Sequence, residues 1–575
     1  AGTDRASVES TNMFDYTWDN QINYAFVKDD HSLNAMGLFS LNKYSSEYFN
    51  QFGEDFPNNT TYYNMGNAAT IIAPQSGYTE YSMMSYAARL NYAYKGKYMV
   101  TGTIRWDGSS RFAEGNRWGS FPSAAVAWRA SEEDFLKTDW LNNLKLRLSY
   151  GISGNNNVGN YETATAPSST AYYAFGSTMA YGYGPNGIVN SNLRWEKTGE
   201  WNLGVDLSVL NNRINITADL YDKLSVDLLL DRKLAIEAGG GATVMDNIGK
   251  VRNRGFELSL NTVNVQTRDL RFETTFGFAL NKNTIEALYG EGVTEDLGNA
   301  WFVGSPVSVY YNYELGGIVN DKPLTVTLPE DIAGFMSGGA SMDGVKGQTV
   351  TFDHAYEFYY KAYGWYEGQP IVKDRDWNGV IDADDKTIIG KALPDWTGSL
   401  TMALTYKNWD LSATAYAKQG YMVMSPFLRL FQGYNDRGRM HINMDYYIPA
   451  NTPVLLSDGS VGVQAETHYG SYPYPTDALA NGGVGDYYGG TGGSTGLNYH
   501  VDASYVKVKN IVLGYTMPRR WMDPLGISSL RIYGNILNPF VFTKYKGFDP
   551  EWAGAALSAG GPSTVTYQVG VNLKF

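Results

Sequence analysis

The residues with the clearest chemical potential form one acidic segment, 374–385. Hard cations such as calcium bind several oxygen donors at close, regular spacing, and a glycine at the sixth position permits the sharp turn between them. Gly379 holds that position, and the last donor is an aspartate, whose arm is shorter than that of the usual glutamate. The spacing predicts a structural calcium site, and the alternative is a turn-rich loop without metal. The predicted ligands are Asp374, Asp376, Asn378, the Val380 carbonyl, Asp382 and Asp385.

Tyrosine-rich stretches at 155–192 and 428–501 supply a second set of side chains that could contact a ligand. Flat rings with a polar edge stack on sugars or pack against peptide side chains, and they also build protein interfaces. For any one ring, packing within its own loop or against a protein partner is the competing interpretation. The weak candidates for substrate contact are Tyr172, Tyr173, Tyr434, Tyr446 and Tyr447.

The sequence contains no constellation typical of catalysis. Its 5 histidines are scattered, and no pair has metal-ligand spacing. With 0 cysteines it has no disulfide, iron–sulfur cluster or thiol nucleophile. No P-loop occurs, and the glycine runs at 238–241 and 489–493 lack the strand–helix context of a catalytic turn. The net charge of −13 opposes the basic footprint that nucleic acid requires. We therefore expect neither an enzyme nor a nucleic-acid-binding protein.

Alternation of apolar and polar residues with a period of two runs through most of the chain and predicts an all-β fold. In the last segment Tyr567, Val569 and Val571 share one face, whereas Gln568 and Gly570 share the other. No stretch approaches the roughly 18 consecutive apolar residues of a membrane helix. About fifteen strands are predicted: 16–27, 32–48, 81–94, 98–110, 119–130, 144–154, 193–209, 213–231, 253–266, 270–284, 396–407, 409–426, 503–516, 528–541 and 563–575.

The connections between these strands alternate in length. Short turns such as 95–97 and 211–212 join two strands into a pair, and long stretches join one pair to the next. Short turns at one end and long loops at the other, with tyrosine and tryptophan at strand ends, are typical of an outer-membrane β-barrel. A soluble sandwich or propeller is the alternative. We expect 285–395, which includes the calcium-type segment, and 427–502 to be long extracellular loops.

The polar faces of the predicted strands carry charged residues in a chain that is otherwise poor in charge, at 18%. In a barrel these faces would surround a wet interior, so that every second residue is polar although the outer face contacts lipid. Such residues could line a transport path or contact an internal domain. They are Arg89, Arg105, Asp107, Asp206, Asp219 and Glu257.

A series of motifs follows in order along the chain: DGSSRF at 107–112, NRWGSFPS at 116–123, RLSYG at 147–151, GN at 154–155, RGFE at 254–257, DRDWNGVID at 374–382 and VGVNLKF at 569–575. This series resembles the C-terminal barrel of the SusC/RagA-type TonB-dependent transporters of Bacteroidetes, over essentially the whole chain. The resemblance implies a transmembrane antiparallel β-barrel of about 22 strands that encloses a plug domain. Residues 1–575 would be its C-terminal portion, and the plug, the TonB box and the first strands are missing from this sequence.

The resemblance also implies a function and a location. It predicts TonB-dependent active import of oligosaccharides or oligopeptides across the cell outer membrane. The partners would be a SusD-like surface lipoprotein acting as a lid, the TonB complex through the missing N-terminal part, and outer-membrane lipid. Two other functions stay open: a passive porin-like channel, which needs no plug, and a soluble all-β glycan-binding protein of the cell surface. Loop aromatics suit sugars and peptides alike, so the cargo is not decided.

Overall fold

The structure, a computed structural model, describes residues 4–56, 63–164, 167–176, 178–185, 188–234, 243–290, 292–328, 330, 347–431, 445–474, 499–554 and 563–575. A large antiparallel sheet dominates it, with fifteen strands in one hydrogen-bonded order. These strands are β1 (Arg5–Lys28), β2 (His31–Glu54), β4 (Gln75–Tyr94), β5 (Tyr98–Ser109), β6 (Trp118–Arg129), β7 (Leu141–Asn155), β10 (Glu196–Val209), β11 (Ile214–Val226), β14 (Lys250–Gln266), β15 (Leu270–Ala287), β24 (Trp396–Tyr406), β25 (Trp409–Gln419), β30 (Tyr505–Thr516), β31 (Ser529–Thr543) and β32 (Thr566–Lys574).

All fifteen strands of this order overlap the fifteen predicted from the alternation of residues, so the all-β prediction is confirmed. The main differences lie at the ends away from the short turns. There β1, β2 and β4 are several residues longer than predicted, whereas β11 ends at Val226 rather than at 231 and β25 ends at Gln419 rather than at 426. In β2 the added residues include Phe49, Asn50 and Gln51, which do not keep the apolar–polar alternation. Where a strand extends beyond the apolar environment, its residues need not alternate between apolar and polar. A period-two pattern therefore does not predict these strand ends.

The chain divides into two compact units. The first contains residues 1–260 and 282–295, and the second contains 261–281 and 296–575. Neighbouring strands are joined by tight turns such as 95–97 and 211–212, by intermediate connections such as 130–140 and 517–528, and by long connections. At the turns the backbone enters the left-handed region, with φ of 54° at Lys95, 57° at Asn211 and 53° at Lys407. Each turn therefore reverses the chain within a few residues, as the sequence predicts.

The long connections contain further short elements. Their strands are β3 (Thr70–Ile71), β8 (Pro167–Phe175), β9 (Thr178–Pro185), β12 (Leu229–Lys233), β13 (Thr243–Asn247), β16 (Glu295–Asp296), β17 (Trp301–Phe302), β18 (Val309–Asn312), β19 (Leu315–Ile318), β20 (Leu324–Thr327), β21 (Thr349–Phe352), β22 (Pro370–Val372), β23 (Thr387–Lys391), β26 (Met422–Met424), β27 (Pro453–Leu455), β28 (Val461–Val463) and β29 (His500–Asp502). The α-helices are α1 (Ala355–Tyr363), α2 (Pro426–Phe431) and α3 (Arg519–Met522). No helix in the described residues is long and apolar enough to cross a membrane.

One face of the sheet exposes large apolar side chains, and the strand register aligns them. In the first unit a continuous row crosses five strands, because each residue of the row is paired with the next. All five are exposed. Such a row on the surface of a sheet matches the apolar band that faces lipid in a membrane barrel. The row consists of Val100, Val126, Leu148, Leu203 and Leu220.

Aromatic residues border this apolar face at the short-turn end of the strands. In the second unit Tyr406 pairs with Trp409, which in turn pairs with Tyr515. Trp409 and Tyr515 also contact each other through their rings, whose centroids are 4.7 Å apart. Tyrosine and tryptophan have an apolar body and a polar edge, so a belt of them suits the boundary between hydrocarbon and water.

The opposite face of the sheet carries paired charges. In the first unit Arg147 bridges Asp206, at 2.9 Å, and Asp219, at 3.1 Å. In the second unit Arg531 pairs with Asp410, at 2.5 Å. Forked, bidentate pairs of this kind fix the side chains as well as neutralising them. Two of the predicted interior residues, Asp206 and Asp219, are therefore ion-paired with a neighbouring residue of the sheet.

Two phenylalanines of the motifs, Phe112 and Phe121, belong to a buried cluster in the first unit. The ring of Phe121 lies against Gly119 and Gly154, which have no side chain to obstruct it. A Cβ atom at Gly154 would lie 2.1 Å from the Phe121 ring, and one at Gly119 would lie 2.4 Å from it. The glycines of these motifs are therefore required for close packing rather than for turn formation. The cluster consists of Phe112, Phe121, Val158, Leu193 and Trp195.

We expect Gly154→Leu to destabilise the folded protein by about 1–3 kcal/mol, because the new side chain displaces the Phe121 ring from its cluster. The control is Gly102→Leu, on β5, where a Cβ meets no atom within 4 Å. Denaturant unfolding of both variants checks the prediction, and equal midpoints for the two would contradict it.

Candidate functional site

The segment between β15 and β24 contains a folded unit, which we call the loop module and define as the described residues 309–328, 330 and 347–391. Besides β18 with β23, it contains two antiparallel strand pairs, β19 with β22 and β20 with β21. Helix α1 packs against both of them. One cluster consists of Leu328, Phe352, Phe358 and Ala362. The other consists of Tyr313, Val319, Trp365, Ile371 and Val372. The module therefore has a core of its own.

Helix α1 is amphipathic and ends in a tight reversal. It buries Ala355, Phe358 and Ala362. Gly364, with φ of 72°, ends the helix, and its N–H donates to the Tyr360 carbonyl at 2.9 Å. Glycine adopts this left-handed conformation without strain, and the conformation reverses the direction of the chain at the end of the helix. Trp365 consequently stacks on Tyr363, with 4.5 Å between the ring centroids.

The acidic segment of the module brings three carboxylates together. One ligand oxygen from each of Asp374, Asp376 and Asp385 lies within 4.8 Å of the other two. Asp374 and Asp385 are buried, and Asp376 is exposed. Backbone N–H groups of the segment point inward: Gly379 donates to Asp374 at 2.8 Å, and Arg375 donates to Asp385 at 2.6 Å. The chain thus wraps around a point where three negative groups converge.

The predicted ligand Asp382 is not part of this three-carboxylate cluster, and its side chain caps the short helix Ala383–Asp385. The side-chain oxygen of Asn378 accepts from the Val380 N–H at 2.7 Å, and that of Asp382 accepts from Asp384 at 2.9 Å. Gly379, with φ of 84°, makes the predicted sharp turn. Trp377 is also left-handed, with φ of 57°. A bulky residue adopts this conformation only when its surroundings enforce it.

The electrostatics of this cluster favour a positive partner. Burial raises the pKa of Asp374, and the charge of Asp385 adds to the effect, although hydrogen bonds from Gly379 and Tyr363 oppose it. Converging carboxylates are destabilised by their mutual repulsion unless a cation or a proton compensates them. The donor set consists of oxygens alone, which is the set that calcium prefers. The residues present therefore fit a hard cation.

A cleft of about 430 Å³ opens beside the acidic segment. Phe358, Tyr359 and Tyr363 of α1 form one wall. The other walls consist of strand residues, most of them apolar, and of charged residues in or near the acidic segment. The strand residues are Leu324, Thr325, Val326, Ile371 and Val372, and the charged residues are Glu314, Lys373, Asp374 and Arg375. A concave, largely apolar space with a few charged groups is the usual form of a ligand site.

Part of the second long loop docks on the loop module. Tyr447 is 2% exposed, and its hydroxyl donates to Glu367 at 2.7 Å. The hydroxyls of Thr467 and Tyr469 donate to the Asp321 carboxylate, at 2.7 and 2.6 Å. Burial raises the pKa of Tyr447, as does the neighbouring Glu367. The contacts of Tyr447 therefore join two loops that are far apart in sequence.

The five weak candidates for substrate contact fall in different environments. Tyr447 is buried as described, and Tyr446 is half-buried with its ring 6.4 Å from that of Tyr472. Tyr173 is 65% exposed and contacts Phe175, with 4.7 Å between ring centroids. Tyr172 lies in β8, and Tyr434 lies outside the described residues. Tyr173 belongs to the first unit, and Tyr446 and Tyr447 belong to the second.

Sequence reasoning located the acidic segment but missed the cleft next to it. The cleft depends on α1 and on pairing between short strands, and neither leaves a strong periodic signal over so few residues. One usable signal was present. Phe358 and Ala362, four residues apart, together with Gly364, are typical of a short buried helix and its C-terminal cap.

Residues 2–538 match the family model described as TonB dependent receptor-like, beta-barrel. The TonB-dependent receptor SusC of Bacteroides thetaiotaomicron is 32% identical over 511 residues, which cover 86% of this chain and 44% of that protein. The TonB-dependent receptor P3 of Formosa agariphila is 28% identical over 595 residues, covering 99% of this chain and 53% of that one. The chain thus spans about half the length of the curated relatives it matches.

Among solved structures, the RagAB peptide transporter aligns with 99% of this chain and 56% of its own. The TM-score is 0.74, and the sequence identity is 22%. The RagAB peptide importer in its open-open state gives a TM-score of 0.71 at 21% identity. At these identities the likeness shows a shared fold.

Proposed function

The chain belongs to the TonB dependent receptor-like β-barrel family of the outer membrane, and we propose that it forms the wall of an active importer. The cargo we propose is oligosaccharide or oligopeptide. Import would be driven by TonB, and a SusD-like lipoprotein would close the outer end. The relative SusC and the fold neighbour RagAB, which is described as a peptide transporter, support this assignment.

The observation that carries the proposal is the two-sided character of the sheet. The aligned row from Val100 to Leu220 suits contact with lipid, and the opposite face holds ion-paired side chains such as Arg147. A wall of this kind separates hydrocarbon from an aqueous path. The folded loop module and the segment docked on it suit recognition of cargo or of a lid, because binding residues concentrate on loops held by a rigid scaffold.

Uptake in living cells tests the proposal. Cells that express the protein with its lipoprotein partner receive fluorescent oligosaccharide and oligopeptide pools, in the presence and in the absence of functional TonB. We expect internalised label that disappears without TonB. Uptake that persists without TonB would indicate a passive channel, and the absence of uptake of either pool would contradict the transport proposal.

We also propose that the acidic segment binds calcium in a structural role. Three converging carboxylates and an all-oxygen donor set support this, and backbone N–H groups hold two of the carboxylates in position. The bound ion would hold residues 374–385 in one conformation and thereby stabilise the loop module. Its chemistry would be electrostatic attraction to oxygen, without a catalytic step.

Calcium should protect this segment against hydrogen exchange. At free calcium 100-fold above Kd, opening of the segment should cost about 2.7 kcal/mol more than without calcium. Asp376→Asn should remove most of that difference, because it takes one carboxylate from the cluster. The control is Asp384→Asn, an exposed position outside the three-carboxylate cluster. Exchange in the parent protein that does not respond to calcium would disprove the site.

A further inference from the structure

We propose that the cleft of the loop module binds the C-terminal end of an oligopeptide whose last side chain is apolar. This inference rests on the proposed import function and would identify peptide as a cargo class. It depends on three features of the cleft: its floor, its exposed strand edge and its charged rim.

The floor of the cleft is aliphatic and aromatic. Leu324, Val326 and Ile371 contribute branched side chains, and Phe358 and Tyr359 contribute rings. A cavity of about 430 Å³ falls within the usual size range of ligand pockets. A sugar ring carries hydroxyls around its edge, and these would be left without partners against branched aliphatic side chains. An apolar amino-acid side chain carries no such groups, so the floor favours a peptide.

Strand β20 presents its edge to the cleft. Leu324, Thr325 and Val326 line the cleft in succession, although neighbouring side chains of a strand point to opposite faces. Because all three residues nevertheless line the cleft, we infer that the backbone edge of β20 lines it as well. In the described residues the opposite edge of β20 pairs with β21. An extended peptide can add to such an edge through main-chain hydrogen bonds.

The rim supplies a partner for a carboxylate. Lys373 and Arg375 line the cleft together with two acids, Glu314 and Asp374, and both cations approach Glu314. Lys373 approaches Glu314 to 2.6 Å, but the Arg375 guanidinium is 3.6 Å away, beyond hydrogen-bonding distance. The Arg375 side chain is 46% exposed. Its planar fork is therefore available to bind the two oxygens of a terminal carboxylate.

The acidic segment fixes the position of this arginine. The Arg375 N–H donates to Asp385 at 2.6 Å, so the backbone of this arginine is held within the acidic segment. Trp377, which lines the same cleft, is held in its left-handed conformation two residues later. Because one loop positions both the charged and the aromatic residue, the cleft is preformed rather than assembled by the ligand.

Isothermal titration of the detergent-purified protein tests the inference. The probes are acetyl-Gly-Gly-Ala-Leu with a free carboxylate and the same peptide with a C-terminal amide. We expect the acid to bind roughly tenfold more tightly than the amide, because a charge-assisted pair is replaced by a neutral contact. Arg375→Gln should lower the affinity for the acid to that for the amide, while the backbone N–H to Asp385 remains. Arg375→Lys should restore part of the preference, and Arg519→Gln, outside the cleft, should leave it unchanged.

Three results would overturn the inference. They are equal affinity for acid and amide in the parent, an acid preference that survives Arg375→Gln, and maltoheptaose competing with the peptide while binding more tightly. Titration needs neither TonB nor a membrane potential, so the two proposals fail separately. Loss of TonB-dependent uptake with intact acid preference contradicts the transport proposal, whereas intact uptake without acid preference contradicts only the cleft.

Discussion

Arginine in place of Leu203 is expected to lower the free energy of unfolding by about 2–4 kcal/mol, the cost of a cationic side chain at the bilayer midplane. Leu203 lies in the middle of β10 and is 50% exposed. Its neighbours across the two adjacent strands are Leu148 and Leu220, so the guanidinium would find apolar side chains and lipid on every side. Denaturant unfolding in lipid vesicles measures the change.

Asn202→Arg is the matched control, one residue away on the opposite face of the same strand. Its neighbours across the sheet are Ser149 and Tyr221, both able to accept or donate a hydrogen bond. We expect a cost within about 0.5 kcal/mol, as for ordinary surface substitutions. Similar costs at both positions would contradict the assignment of lipid and interior faces, because a sheet wet on both sides would not distinguish them.

The strands were predictable from the sequence because each one meets two different environments. Where one face contacts apolar surroundings and the other contacts water, residues must alternate with a period of two, as at Trp201, Leu203 and Val205. The signal fails where that contrast ends. β1 begins at Arg5, well before the predicted residue 16, and its residues 9–12 are all polar. The boundaries were therefore less predictable than the strands themselves.

The loop module shows what sequence patterns could not supply. The acidic segment was recognisable because all its donors lie within twelve positions of one another. The cleft beside it is lined by both Leu324 and Arg375, although they are far apart in the chain. The hydrogen bond from Tyr447 to Glu367 likewise joins two residues that are far apart in the chain. Such contacts arise from packing between short elements, and each element contributes too few residues for its own periodic signal.

Lys507→Met is expected to destabilise the connection between β31 and β32. The free energy of its local unfolding should fall by about 3–5 kcal/mol. Lys507 is 1% exposed, and its ammonium donates to Asp549 at 2.6 Å, to Glu551 at 3.0 Å and to Ser563 at 3.2 Å. Asp549 is 4% exposed. Removal of the lysine leaves that carboxylate buried without its cation, which costs more than the original pair contributes. Hydrogen exchange of residues 544–554 measures the loss.

The double variant Lys507→Met with Asp549→Asn distinguishes two causes of this loss: an unpaired buried charge, and the missing packing of the lysine side chain. It removes both buried charges, so we expect it to recover much of the protection that Lys507→Met loses. A double variant as exposed to exchange as the single one would contradict the ion-pair explanation. It would indicate that the aliphatic stem of the lysine stabilises the connection instead.

The same pair predicts how this connection responds to acid. Burial pushes the pKa of Asp549 upward, but hydrogen bonds from Lys507 and Ser563 outweigh it, and the pKa lies below its usual value. A carboxyl group with a depressed pKa in the folded state stabilises that state above its ordinary pKa of about 3.9. That contribution declines as the pH falls below this value and is lost once the pH passes the lower folded pKa. Protection of 544–554 should therefore fall in acid in the parent protein. The double variant, which has no carboxyl group at 549, should lack this component of the acid response, and an identical fall in both proteins would show that other groups cause it.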